Sequence, residues 1–196
     1  MIRAKSSPTW GSTGEAGEGG LARSKLAPNP LNRYPKPMAI FDLLDLPDAT
    51  PRFAPVMGLD LGEKTIGVAV SDASWMIASP LELIRKTKFT DDVTALFKLM
   101  ASREAGAIVI GLPINMDGTE GPRCQSSRAF ARNLMRIRDM PIAFWDERLS
   151  SAAVNRFLIE EADTTRARRA ELVDKMAAAY ILQGALERLR DARSKA

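Results

Sequence analysis

Apolar positions change their spacing several times along this chain, and each change marks an element. Val56–Leu61 is a short apolar run stopped by Gly62. Thr65–Ser71 is rich in β-formers, and the intervening Gly62, Glu63 and Lys64 predict a hairpin. Residues 75–85 read as a third strand, broken near Pro80. Val93, Leu96, Phe97 and Met100 then recur at helical spacing, with Thr90 as the candidate N-cap and Asp91 and Asp92 in the first turn. Ala107–Leu112 is continuously apolar, as expected of a strand buried on both faces. A loop rich in Gly, Asn and Asp follows, then an amphipathic helix over 124–138 with Phe130, Leu134 and Ile137 on one face and Arg128, Arg132 and Arg136 on another. Residues 141–145 form another apolar strand. Ser150 or Ser151 is placed to cap a helix running to Glu161, residues 164–169 form a polar, basic connection, and 170–190 read as a long final helix.

Three strands that can meander, then strands alternating with helices, imply a mixed sheet covered by helices. The expectation is an α/β fold with an RNase H-like mixed five-stranded sheet flanked by helices, although element order alone leaves other α/β sheets open. No internal repeat interrupts it.

The first 37 residues lack this patterning. Their glycines, serines and prolines bury too little surface to offset the entropy of ordering, so they read as a disordered basic tail. A second methionine, Met38, heads a more apolar stretch. Two readings stay open: an extension upstream of the natural start, or a genuine flexible tail. Residues 38–55 read as a linker, 56–190 as the folded domain and 191–196 as a C-terminal tail.

Charge adds less than the pI of 9.4 suggests. The tail carries Arg3, Lys5, Arg23, Lys25, Arg33 and Lys36 against Glu15 and Glu18, which accounts for the whole formal charge of +4. The remaining body is neutral, so a polyanion has to be held by a local patch. With no run of 18 apolar residues and no secretory pattern, a cytoplasmic protein with no membrane partner is expected. A single cysteine, Cys124, excludes an internal disulfide. The chain has no histidine, which removes Ser-His-Asp and Cys-His catalysis and imidazole metal ligands.

Any catalysis then rests on carboxylates, Lys, Arg, Tyr, hydroxyls or the one thiol, and three carboxylates stand out. In Gly58-Leu59-Asp60-Leu61-Gly62 residues two apart share a strand face, so Asp60 stands between two positions without side chains, leaving room for a metal and a phosphate backbone. Glu147, in Trp145-Asp146-Glu147-Arg148, lies at the end of an apolar strand, where open α/β sheets place their ligands. Asp174 is set in an alanine-rich helix, with Ala177, Ala178 and Ile181 on its face. Each alone is ordinary surface or turn chemistry. Together they form a candidate carboxylate cluster whose hard oxygens suit one or two Mg²⁺ or Mn²⁺ ions and phosphodiester hydrolysis. Asn115, Arg123, Arg128, Arg132 and Arg148 are the candidate nucleic-acid contacts, drawn from the glycine-rich loop, the arginine row and the strand end.

At these residues the sequence resembles the YqgF family, also called RuvX, of RNase H-like nucleases. The matching segments are 57–72, 109–118, 146–150 and Val173-Asp174 with its alanine-rich helix, within roughly 56–190. The resemblance implies a cytoplasmic bacterial nuclease acting in maturation of the 5′ end of 16S ribosomal RNA, and kinship with a Holliday-junction resolvase. It matches Asp60, Glu147 and Asp174 to the family's catalytic, metal-binding carboxylates. Related nucleases often carry a fourth acidic or histidine ligand, and this chain offers no histidine for it. The implied partners are structured precursor ribosomal RNA or branched DNA. Monomer and homodimer both stay open, as does a non-catalytic assembly factor on the same fold.

Overall fold

The computed structural model describes residues 40–149 and 166–195, and for 149 and 166–175 the backbone alone. The described residues fall within one compact unit, residues 31–196. The expectations for the first 37 residues, and for a helix from Ser150 or Ser151 to Glu161, lie outside the described residues.

The sheet has six strands: β1 (Ile40–Phe41), β2 (Val56–Leu61), β3 (Thr65–Ser71), β4 (Ala78–Arg85), β5 (Ala107–Leu112) and β6 (Ile142–Asp146), in the order β1-β6-β5-β2-β3-β4. β2, β3 and β4 form the expected antiparallel meander, while β5 and β6 add in parallel to the other side of β2. This is the RNase H-like arrangement expected from the order of elements. The helices are α1 (Leu46–Ala49), α2 (Phe89–Ser102), α3 (Pro122–Ile137) and α4 (Arg166–Ser194). Among the described residues, no helix is long and apolar enough to cross a membrane.

Four local expectations need correction. The sheet gains a sixth strand from the segment read as a linker: Ile40 and Phe41 pair with Ile142 and Ala143, and Leu43, Leu46 and Ala54 are buried. A two-residue strand is too short to show an alternation. α2 begins at Phe89 with Lys88 as its N-cap, not Thr90, because Asp92 turns back to accept from the Thr87 N–H (2.9 Å) and hydroxyl (3.1 Å). β4 starts at Ala78 and runs through Pro80, which sits at an edge where a register shift opposite Val68 and Ala69 tolerates its missing N–H. α4 continues through the expected C-terminal tail to Ser194, where the Arg193 guanidinium lies 5.7 Å from the centre of the buried Trp75 ring.

Alternation along the central strands sorts the core into two layers. Met57 and Leu59 join Ile66, Val68, Ile108 and Ile110 under α2 and α3. Val56, Ala69, Ala107, Val109 and Ala143 face the other way, beneath Ala178, Ile181, Leu182, Ala185 and Leu186 of α4. Around β2 the α4 face of the sheet carries small side chains, and the helix approaches its backbone. A Cβ on Gly58 would meet Leu182 Cβ at 2.6 Å and the Ala178 carbonyl oxygen at 2.9 Å. Gly184 makes the same approach from the helix side, against Trp145. Both glycines are there for proximity.

Candidate active site at the mouth of the sheet

β2, β5 and β6 run parallel, so their C-terminal ends open at one mouth. Asp60 is the penultimate residue of β2, opposite Gly67 of β3. Because Leu59 points into the α2–α3 layer and Gly58 touches α4, the period of two puts Asp60 on the α4 side. Glu147 is the first residue after β6 and turns back over β5. A Cβ at Gly111 would lie 2.5 Å from Glu147 Oε1 and 2.6 Å from Ile181 Cδ1. The carboxylate thus occupies the space that the glycine leaves open.

Electrostatics tie the two acids together. Burial lifts the Glu147 carboxyl to about 7, and the negative charge of Asp60 pushes the same way. Arg123 opposes both. Near neutral pH Glu147 therefore divides between a proton and a free carboxylate. Two acids near each other in a half-buried mouth, with hard oxygen donors, suit a hard divalent ion.

Asp174 is helical in backbone, while its side chain lies outside the described residues. Among the described residues no group of three acidic, Cys or His side chains gathers as a metal site.

The candidate nucleic-acid residues divide. Arg123 is exposed at the start of α3 and lines two neighbouring cavities. One, of about 460 Å³, is shared with Asn115, Glu147 and Arg148. Asn115 closes the glycine-rich loop, donating from Nδ2 to the Thr119 hydroxyl at 2.9 Å. Arg132 is exposed on α3. Arg128 is occupied: it pairs with Glu120 and lies 5.0 Å from the centre of the Phe144 ring. Arg148 is occupied too, donating from Nε to both Asp146 oxygens at 3.0 and 3.1 Å, with Nη2 to Oδ2 at 2.6 Å. Two of the expected nucleic-acid contacts thus already carry carboxylate partners.

The profile of the RuvX family, described as Holliday junction resolvase, matches residues 54–188. The chain belongs to the RuvX family. Its relatives include a protein of Phenylobacterium zucineum (strain HLK1), 74% identical over 155 residues, which are 79% of this chain and 99% of that one. Another, from Caulobacter vibrioides (strain NA1000 / CB15N), is 67% identical over 154 residues, 78% of this chain and 99% of that one. Both are named "Putative pre-16S rRNA nuclease". A solved structure of Thermus thermophilus RuvC with a Holliday junction substrate aligns with a TM-score of 0.45 and 13% identity, over 70% of this chain and 96% of that one.

One charged residue near Asp60 escaped the motif reading. Lys86 follows β4 directly, and its N–H donates to the Lys64 carbonyl at 2.9 Å. Its ammonium is half-buried and donates to the Gly62 carbonyl. Burial lowers its pKa, while Asp92 and Asp60 raise it and Arg123 lowers it. The signal in the sequence was topological: β4 runs back parallel to β2, so a residue at its C-terminal end must share the mouth with Asp60.

Proposed function

We propose that this chain is a divalent-metal-dependent endonuclease that hydrolyses phosphodiester bonds in structured RNA, its substrate being the 5′ leader of precursor 16S ribosomal RNA. The observation that carries the reading is the convergence of Asp60 and Glu147 at the mouth, close enough for each to act on the other's charge. The names of the 74% and 67% identical relatives support the choice of RNA.

Asp60 and Glu147 hold the ion, with Asp174 as third carboxylate. Ala178 backs directly onto Gly58, and the helical repeat of four carries Asp174 one turn further. That turn lies on the Asp60 side, because the other end of α4 reaches Trp75, whose indole donates to the Ala54 carbonyl ahead of β2. A bound Mg²⁺ or Mn²⁺ supplies an activated water and stabilises the leaving oxygen. The protein's own part is to aim both carboxylates, Glu147 by its seat on Gly111. Arg123 holds the nucleic acid at the cavity it shares with Glu147.

A second reading, hydrolysis of branched DNA, draws on the description of the family. One experiment separates the two. The full chain and its Asp60→Asn variant are incubated with a precursor ribosomal RNA leader and with a four-way DNA junction, in Mg²⁺ and in Mn²⁺. Cleavage of RNA that is lost in the variant supports the proposal. Cleavage of the junction alone moves the substrate to DNA. Equal activity of the variant, or cleavage of neither polymer, ends the nuclease assignment.

A further inference from the structure

The cationic surface nearest the two acids is not the arginine row of α3. Arg128 and Arg148 have carboxylate partners, whereas among the described residues neither Lys86 nor Arg123 forms a salt bridge. These two line a cavity of about 660 Å³, together with Leu61, Gly62, Glu63, Ser126 and Phe130. Lys86 is half-buried in it despite the cost of desolvating an ammonium, and Arg123 adds a second positive charge close enough to disfavour the first. Glu63 also lines the cavity, and Asp92 and Asp60 act on Lys86 from beside it, so among the lining side chains two cations face one acid, and that excess of positive charge complements an anion.

The position of the cavity says which anion. Leu61 and Phe130 pack against the α2–α3 layer, while Asp60 and Glu147 occupy the α4 side. The cavity and the acids therefore flank the end of β2 on opposite sides. Arg123 bridges them, since it also lines the cavity containing Glu147. Cations alone would suit any phosphate. The apolar wall of Leu61 and the Phe130 ring, and a volume within the usual range for a small-molecule site, add room for a base and sugar.

We propose that this cavity is a nucleotide subsite: Lys86 and Arg123 hold the phosphate of the nucleotide next to the scissile bond, and its base rests on Leu61 and Phe130. Lys86 is then a binding residue that positions the chain for Asp60 and Glu147. The assignment rests on the nuclease reading, but its test does not require cleavage.

Adenosine 5′-monophosphate, adenosine and inorganic phosphate are titrated into the ¹⁵N-labelled full chain in EDTA, following amide shifts. The monophosphate should bind with shifts centred on residues 86–87 and 123–130, and more tightly than either of the other probes. Lys86→Gln and Arg123→Gln should each weaken it about tenfold, the ordinary loss for one charge-assisted phosphate contact. Lys98→Gln, an exposed change on α2, should leave it unchanged. Arg123 is exposed, so that variant carries the test if Lys86→Gln does not fold. Equal binding by both site variants, equal loss in Lys98→Gln, or shifts centred elsewhere would overturn the subsite. Inorganic phosphate binding as tightly as the nucleotide would overturn the base contact. A protein that binds the monophosphate here yet cleaves nothing keeps the subsite and loses the nuclease. One that cleaves through Asp60 but binds equally well without Lys86 and Arg123 does the reverse.

Discussion

Replacing Glu147 by glutamine should stabilise the metal-free protein at pH 8. The carboxyl is raised from 4.5 to about 7 in the folded chain, by burial first and by Asp60 second. A raised acid binds its proton more tightly when folded than when unfolded. Stability is therefore highest below pH 4.5, falls as pH rises towards 7, and stays at the lower level above it. Each tenfold change in proton affinity is worth about 1.4 kcal/mol, which sets a ceiling of about 3 kcal/mol. Glu147 is only partly buried, and water screens it, so we expect about 1–2 kcal/mol. The assay is urea denaturation of wild type and Glu147→Gln in EDTA at pH 5 and pH 8. The difference between the two proteins at each pH cancels every other titrating group. It should shift in favour of the variant by about 1–2 kcal/mol between pH 5 and pH 8. An Asp60→Asn background should shrink the shift without removing it, because burial is the larger cause. A difference that is the same at both pH values, or a shift towards wild type at pH 8, would refute the raised carboxyl. The same sign governs the ion. A ligand must be deprotonated, so stabilisation by Mg²⁺ should grow from pH 6 to pH 8 in the wild type and not in Glu147→Gln.

Asp60→Asn should abolish cleavage with unchanged circular dichroism, so that the loss is one of chemistry and not of folding. Gly111→Ala drives a methyl into Glu147 Oε1 and Ile181 Cδ1 and should cost about 1–3 kcal/mol by urea denaturation while cutting turnover, because the carboxylate must move. Gly58→Ala meets the Ala178 carbonyl, a backbone atom that cannot swing aside, and should lower stability at least as much as Gly111→Ala, read in the same assay. Arg128→Ala, at an exposed ion pair with Glu120, should change stability by about 1 kcal/mol or less.

Much of the architecture was legible because strand alternation is a strict period. Leu59 and Leu61 announced one face and Gly58 and Asp60 the other, and the core divides that way. The continuous apolar runs of β5 and β6 mark strands covered on both sides. What the pattern missed was decided by partners. β1 is visible only once β6 offers an edge to pair with. Arg128 and Arg148 look like free charges along a helix face or strand end, and nothing in their spacing reveals Glu120 or Asp146. Lys86 belongs to no motif, and only the path of the meander brings it to the mouth.

The neutral body poses a physical problem for a protein that binds a polyanion, and the layering of the sheet answers it. Gly58 on one face admits α4, and Gly111 leaves the space that Glu147 occupies beside Asp60. Large apolar residues on the other face hold α2 and α3 further off, and Lys86 and Arg123 rim the gap that opens at the end of β2. On the proposed reading the two acids that hold the ion lie on the α4 side of β2 and the two cations of the subsite on the α3 side, with Glu63 beside them. A uniformly basic surface would draw the backbone anywhere. This arrangement attracts it to one side of the mouth and leaves its neighbouring phosphate over the carboxylates, which repel it until a cation stands between. Affinity and cleavage are then set by different faces of the same sheet, which is why substitutions at Lys86 and at Asp60 should separate binding from turnover.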